Sequence, residues 1–194
     1  GEIISGVLKS VTKRATGTTK SVSEVTYAAG KMTVSSSVNY AADQTVTSTS
    51  SVDYSGITFD DESGEIISGV LKSVTKRATG TTKSVSEVTY AAGKMTVSSS
   101  VNYAADQTVT STSSVDYSGI TFDDESGEII SGVLKSVTKR ATGTTKSVSE
   151  VTYAAGKMTV SSSVNYAADQ TVTSTSSVDY SGITFDDESG EIIS

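Results

Sequence analysis

Residues 31–54 read KMTVSSSVNYAADQTVTSTSSVDY, and this stretch decides the fold. In its first half, Met32, Val34 and Val38 alternate with polar residues and share one face. In its second half, Val46 and Val52 alternate with a row of threonines in the same way. Alternation with a period of two residues is typical of a β-strand. The stretch therefore predicts two antiparallel strands joined by a tight turn.

Further strands are predicted on either side of this hairpin. Residues 20–27 alternate weakly and end before an Ala-Ala-Gly turn, where Gly30 can adopt the positive φ that hairpins require. Ser55 and Gly56 close the last of the three predicted strands before residues 57–59; Gly56 can supply a positive φ there, and Asp43 tolerates one at the turn inside the hairpin. Residues 1–17 carry apolar side chains at helical spacing, but they are rich in β-branched residues, which favour strands. We expect a strand there, and an α+β unit with one short helix is the alternative.

The alternating pattern also predicts which side chains form the core. We expect the valines of the hairpin to be buried together with two tyrosines, namely Val34, Val38, Val46, Val52, Tyr40 and Tyr54. We expect the polar face to be exposed, represented by Thr33, Thr45 and Thr47.

The whole chain is built from one repeated unit. Residues 1–63 recur letter for letter as 64–126 and 127–189, and residues 190–194 begin a fourth unit. Ser and Thr occupy 22 of the 63 positions in each unit and Val occupies 8. This predicts an all-β protein of three identical 63-residue antiparallel units in tandem, either sandwich-like modules or β-solenoid segments. A closed threefold-symmetric β fold is the alternative, although the five surplus residues indicate a window from a longer array.

The motif GEIIS suggests that the structural modules are offset from the sequence repeat. It follows the acidic residues 60–62 that end each unit, and it is apolar enough to pair as a strand with the preceding unit. The modules would then span about 6–68, 69–131 and 132–194. An unpaired copy could complete the open sheet edge of another unit or chain. The predicted strand-sharing residues are Glu2, Ile3, Ile4, Glu191, Ile192 and Ile193.

Composition excludes several classes of chemistry. The chain has no His, Cys, Pro or Trp, so Ser-His-Asp and Cys-His catalysis and disulfides are excluded. We expect that it is not an enzyme. A net charge of −7 disfavours nucleic acid as a partner. No apolar run approaches the ~20 residues of a membrane-spanning helix.

One group of residues has the chemistry of a metal site. Asp60, Asp61, Glu62 and Glu65 supply oxygen atoms of the kind that Ca²⁺ prefers. Their spacing does not match the calcium-binding loop of helix–loop–helix proteins. We therefore expect no cofactor, with Ca²⁺ at these four residues as the alternative.

A Cys-free, acidic, Ser/Thr/Val-rich chain of identical tandem β units resembles the repeat stalks of bacterial or archaeal surface adhesins and fibres. The resemblance covers the whole chain and rests on composition and repetition. It implies a non-catalytic structural segment of a secreted or cell-surface filament, with adjacent repeats or other copies of the same chain as partners. The alternatives are a designed threefold-symmetric β protein without evolved function and a repeat module that binds glycans or other ligands.

Overall fold

A computed structural model of the chain describes residues 3–124 and 126–184, which form β-strands and no helix. The β-branched residues of the first segment, such as Val7 and Val11, lie in a strand. The all-β prediction is therefore confirmed, and the α+β alternative is wrong for these residues. The strands are β1 (Gly6–Lys13), β2 (Thr19–Ala28), β3 (Lys31–Tyr40), β4 (Val46–Asp53), β5 (Ile57–Phe59), β6 (Ile66–Arg77), β7 (Thr82–Ala91), β8 (Lys94–Tyr103), β9 (Val109–Asp116), β10 (Ile120–Phe122), β11 (Ile129–Arg140), β12 (Thr145–Ala154), β13 (Lys157–Tyr166) and β14 (Val172–Asp179).

The chain divides into two compact units, Gly1–Ser114 and Val115–Ser194. In the first, adjacent strands follow the order β1-β2-β3-β4-β6-β7-β8, and β5 pairs with the start of β6. In the second, the order is β11-β12-β13-β14, and β10 pairs with the start of β11. All the register pairs are antiparallel. The predicted repeat and module boundaries stay a prediction.

Each unit is a single layer of sheet. Among the described residues no side chain is buried, so the chain has no enclosed hydrophobic core there. Val34 and Val46 are exposed, and Val38, Val52, Tyr40 and Tyr54 are only half-buried. The predicted core is therefore wrong, and so are the sandwich-like and solenoid architectures that needed it. Thr45 and Thr47 are exposed as predicted, whereas Thr33 is half-buried.

The register of β3 and β4 explains why no core forms. Val38 lies opposite Thr49, and Val52 lies opposite Ser35. Directly opposed residues point to the same side of a sheet, and successive residues point to opposite sides. The valines of β3 and β4 therefore lie on opposite faces. Each face carries a mixture of Val and Ser, and neither is apolar enough to demand a second layer.

The sheet remains open at two strands. Among the described residues β1 has one neighbouring strand, β2, and β14 has one neighbouring strand, β13. All eight residues of β1 and all eight of β14 are exposed. A closed threefold-symmetric fold is therefore wrong for the described part of the chain.

An arginine fastens the hairpin ends of each repeat. The guanidinium of Arg14 donates to the carbonyl oxygen of Thr19 at 2.6 Å and to that of Tyr40. The side chain of Gln44 exchanges two hydrogen bonds with the backbone of Thr19, at 3.2 and 3.0 Å. These contacts join the β1–β2 turn to the β3–β4 turn.

Candidate functional site

The candidate site is the joint between successive repeats, where strands of one repeat pair with a strand of the next. The end of the first repeat, β4, pairs with the beginning of the second, β6, over six residue pairs from Ser48↔Arg77 to Asp53↔Lys72. The short strand β5 continues along the same edge of β6, with Ile57 opposite Gly69. One repeat is thus joined to the next by nine register pairs along β6, six with β4 and three with β5.

A tight turn lets β4 and β5 follow one edge. The amide of Ile57 donates to the carbonyl oxygen of Tyr54 at 3.0 Å, and the amide of Val70 donates to that of Gly56 at 3.3 Å. A β-carbon added at Gly56 would lie 3.1 Å from the carbonyl oxygen of Val70. Two backbones therefore approach each other closely at Gly56. The sequence had suggested a positive φ at this glycine, which the structure does not have.

The predicted strand-sharing residues fall into two groups. Glu2, Glu191, Ile192 and Ile193 lie outside the described residues. Ile3 and Ile4 are described and exposed, and the carbonyl oxygen of Ile4 accepts a 2.7 Å hydrogen bond from the amide of Gly30.

The same motif is less exposed in the second repeat. Ile67 accepts the equivalent 2.7 Å hydrogen bond from Gly93, and its neighbour Ile66 is opposite Phe59 of the preceding repeat. Ile4 is 74% exposed and Ile67 is 38% exposed. The difference shows how much the joint covers this motif.

The acidic turn at the joint is held by its own aspartate. A carboxylate oxygen of Asp60 accepts hydrogen bonds from the amides of Glu62 and Ser63, at 2.9 and 2.7 Å, and from the Ser63 hydroxyl at 3.1 Å. The backbone amides of Ser63 and Glu62, the Ser63 hydroxyl and the positive charge of Lys31 hold the pKa of Asp60 below its usual range. Asp60 therefore organises the turn as an anion.

The remaining acidic residues do not converge. Asp61 pairs with the ammonium of Lys31 at 2.7 Å, and Glu62 and Glu65 are exposed. Within residues 3–124 and 126–184, no three acidic side chains are grouped so that they could hold a metal ion. Calcium binding at Asp60, Asp61, Glu62 and Glu65 stays a prediction.

A groove lies beside the acidic turn of the first repeat. It has a volume of about 600 Å³ and is lined by aromatic and aliphatic residues together with charged ones, namely Ile3, Ile4, Tyr27, Ala29, Gly30, Lys31, Met32, Phe59 and the turn residues 60–64.

The two exposed edges are the features that sequence reasoning missed. β14 has the sequence of β4, and β1 has the sequence of residues 69–76 in β6. The exposed strands are thus copies of two strands that pair with each other within the chain. The identity of the repeats implies that each strand has copies elsewhere in the chain, but only the observed β4–β6 pairing shows which strands form the joint.

No family model matches the chain, and no curated protein was found to be similar to it. No helix with the length and apolar character of a membrane span occurs in the described parts of the chain.

Proposed function

We propose that the chain is a non-catalytic structural segment of an extracellular fibre or adhesin stalk, extended by repetition of one β joint. The observation that carries the proposal is the β4–β6 pairing, which joins the first repeat to the second through six residue pairs. Each added copy of the repeat brings both halves of that joint. The chain can therefore be lengthened without a new kind of contact.

The energetics of a single layer support a repetitive structural role. With no enclosed core in the described residues, each strand is stabilised mainly by its two neighbours. Exposed pairs such as Lys9–Glu24, 2.9 Å apart, and Lys72–Glu87, 3.0 Å apart, contribute about 0–1 kcal/mol each. Stability then depends on how many strands have both neighbours. A long array of repeats satisfies that condition better than a short one.

The placement outside the cell follows from the resemblance to adhesin and fibre stalks. The chain has no cysteine and a net charge of −7, so it is indifferent to an oxidising environment and resists nonspecific association with anionic surfaces. Its partners in this proposal are adjacent repeats or other copies of the same chain.

The experiment compares the chain with versions extended by one and two further 63-residue repeats. We expect hydrogen exchange at β14 to slow, because the added repeat covers its open edge, and the maximum dimension in small-angle scattering to grow by a constant increment. The matched control is an extension of equal length that is rich in Gly and Ser, which behaves as a flexible coil. Unchanged protection of β14 in the repeat-extended chain would contradict the proposal.

The groove beside the acidic turn favours a second candidate function, a repeat module that binds glycans or other small ligands. Tyr27 and Phe59 line it, and aromatic rings are suitable platforms for stacking. Glycan-array binding that is lost in Tyr27→Ala but kept in Tyr54→Ala would support this candidate, since Tyr54 does not line the groove. Equal binding by both variants would contradict it.

A further inference from the structure

We propose that copies of this chain associate head to tail by pairing the open edge of β14 in one copy with the open edge of β1 in the next. This inference rests on the proposed structural function, and it names the partner and the strands that bind it.

The two open edges have the sequences of two strands that pair with each other within the chain. β14 repeats the residues of β4, and β1 repeats residues 69–76 of β6. β4 and β6 pair antiparallel in the first unit. Because β14 and β1 have the sequences of β4 and β6, they carry the same backbone donors, acceptors and side chains as that pair. Within residues 3–124 and 126–184 β14 has no strand on its other edge, and the β1 sequence is the one that occupies the equivalent place beside β4.

Apolar side chains are more exposed at the two open edges than at the internal joint. Leu71 and Val74 in β6 are half-buried, whereas the matching residues in β1 are exposed, Leu8 by 54%. Val52 in β4 is half-buried, whereas Val178 in β14 is 48% exposed. Apolar surface that is covered at the internal joint is thus open to water at both edges. Covering it is favourable, at about 25 cal/mol per Å² of apolar surface.

The open edges of β14 and β1 carry opposite charges at Asp179 and Lys9. At the internal joint Asp53 lies opposite Lys72, whose positive charge helps to lower the pKa of the Asp53 carboxyl after the larger effect of the Ser55 amide and hydroxyl. In the register of that joint Asp179 of one copy would face Lys9 of the next. Opposite charges that face each other across two paired strands favour the pairing.

The register is fixed by the internal joint. There Val52 is opposite Ser73 and Ser51 is opposite Val74. Between copies the corresponding pairs are Val178 with Ser10 and Ser177 with Val11. Because one edge is the tail of a copy and the other is the head, the association is heterologous, and repeated addition of copies builds a ring or an open filament.

Cysteine crosslinking tests the register directly, because the chain has no native cysteine. The test variant carries Ser10→Cys and Val178→Cys in the full chain. The offset control carries Thr12→Cys and Val178→Cys. In the proposed register these two residues are diagonal neighbours about 7–8 Å apart, which is too far for a disulfide. The internal reference carries Val52→Cys and Ser73→Cys. Circular dichroism verifies that each variant retains the β-sheet.

We expect the internal reference to close within one chain, the test variant to form covalent dimers and longer oligomers on mild oxidation, and the offset control to lose this ladder. We also expect the unmodified chain to increase in mean mass with concentration in sedimentation.

Three outcomes overturn the inference. They are a test variant that stays monomeric and reduced while the internal reference closes, a test disulfide formed within one chain, and equal ladders in the test and offset variants. Failure of the internal reference to close contradicts the proposed function itself, so the two failures are distinguishable.

Discussion

A β-carbon placed on Gly69 would lie 2.0 Å from the carbonyl oxygen of Gly56, a separation that no side chain tolerates. Gly132 and Gly119 have the same relationship, also at 2.0 Å. Gly69 and Gly132 lie in the long strands β6 and β11. At these glycines the strand passes the turn between two strands of the preceding repeat. The joint between repeats therefore depends on a pair of glycines that bring two backbones together.

Gly69→Ala should weaken this joint more than the same substitution at the matching position of the first repeat. Gly6 and Gly69 both have positive φ, 129° and 116°, but nothing lies within 4 Å of a β-carbon at Gly6. Backbone strain costs each variant about 1–3 kcal/mol of unfolding free energy. Only Gly69→Ala adds a steric clash with Gly56. Urea unfolding with hydrogen exchange at β5 and β6 measures the difference, and equal losses in the two variants would show that the close approach is unimportant.

The strands and their turns could be predicted from the sequence because both depend on local chemistry. Period-two alternation placed β3 and β4, and the Ala-Ala-Gly motif placed the turn at Gly30, whose φ is 77°. The second turn was predicted with less success, since Gln44 and not Asp43 has the positive φ, at 67°. The Asp43 carboxylate instead accepts hydrogen bonds from Thr45.

The absence of a core could not be predicted, because it depends on register between strands. Alternation shows that Val38 shares a face with Val34, but it does not show which residue of β4 lies opposite. The loop of residues 41–45 and the register shift between Asn39 and Tyr40 place Thr49 opposite Val38. A change of one residue in that register would have placed the valines of both strands on one face. The identity of the three repeats does not resolve the register, because each repeat has the same uncertain pairing of its strands.

Stability should fall as the pH drops below about 4. Aspartates at the turns have a lowered pKa because they accept hydrogen bonds as anions; they are Asp43, Asp53, Asp60, Asp106, Asp116, Asp169 and Asp179. A carboxyl whose pKa is lower in the folded state contributes stability that is present above its unfolded pKa of about 3.9. That contribution is lost as the pH falls through the folded pKa. Urea midpoints between neutral pH and pH about 2 measure the effect.

The matched control for the acid effect replaces Asp43, Asp106 and Asp169 with Asn in one variant. The hydroxyl and amide of Thr45 lower the pKa of Asp43, and an Asn side-chain oxygen can still accept those hydrogen bonds. We expect the turns to persist and the dependence on acid pH to become shallower. An unchanged dependence would assign the acid sensitivity to other groups.

Replacing Ala29 with Asn should stabilise the protein. Ala29 and Gly30 form a two-residue hairpin loop with φ of 49° and 77°, which matches a type I′ turn. Asn-Gly is preferred there because Asn tolerates positive φ better than Ala does. We expect a gain of roughly 0.5–1 kcal/mol per turn when Ala29, Ala92 and Ala155 are all replaced. Thermal unfolding measures it, with Ala42→Asn as the control at an exposed turn residue of ordinary φ, and an equal gain at both positions would contradict the explanation.

Arg77→Lys should loosen the hairpin ends of the second repeat. The guanidinium of Arg77 donates to the carbonyl oxygens of Thr82 at 2.6 Å, of Ala104 at 3.2 Å and of Tyr103. Lysine keeps the charge but cannot present the planar fork that spans these oxygens. We expect a loss of about 1 kcal/mol and faster amide exchange where β7 begins and β8 ends. Lys83→Arg, on an exposed side chain of the same region, should leave both measurements unchanged.

Calcium at about millimolar concentration, the range in which extracellular modules bind it, should leave the thermal midpoint unchanged. One carboxylate oxygen of Asp60 already accepts hydrogen bonds from two amides and a hydroxyl, and Asp61 lies 2.7 Å from the ammonium of Lys31. A cation would have to displace those donors and approach a positive charge. Calorimetry with Ca²⁺ and with a chelator measures the effect. A calcium-dependent rise in the thermal midpoint that is larger in Lys31→Gln and absent in Asp61→Asn would show that the acidic turn is a metal site. Removing the ammonium should favour cation binding, and removing the carboxylate should abolish it.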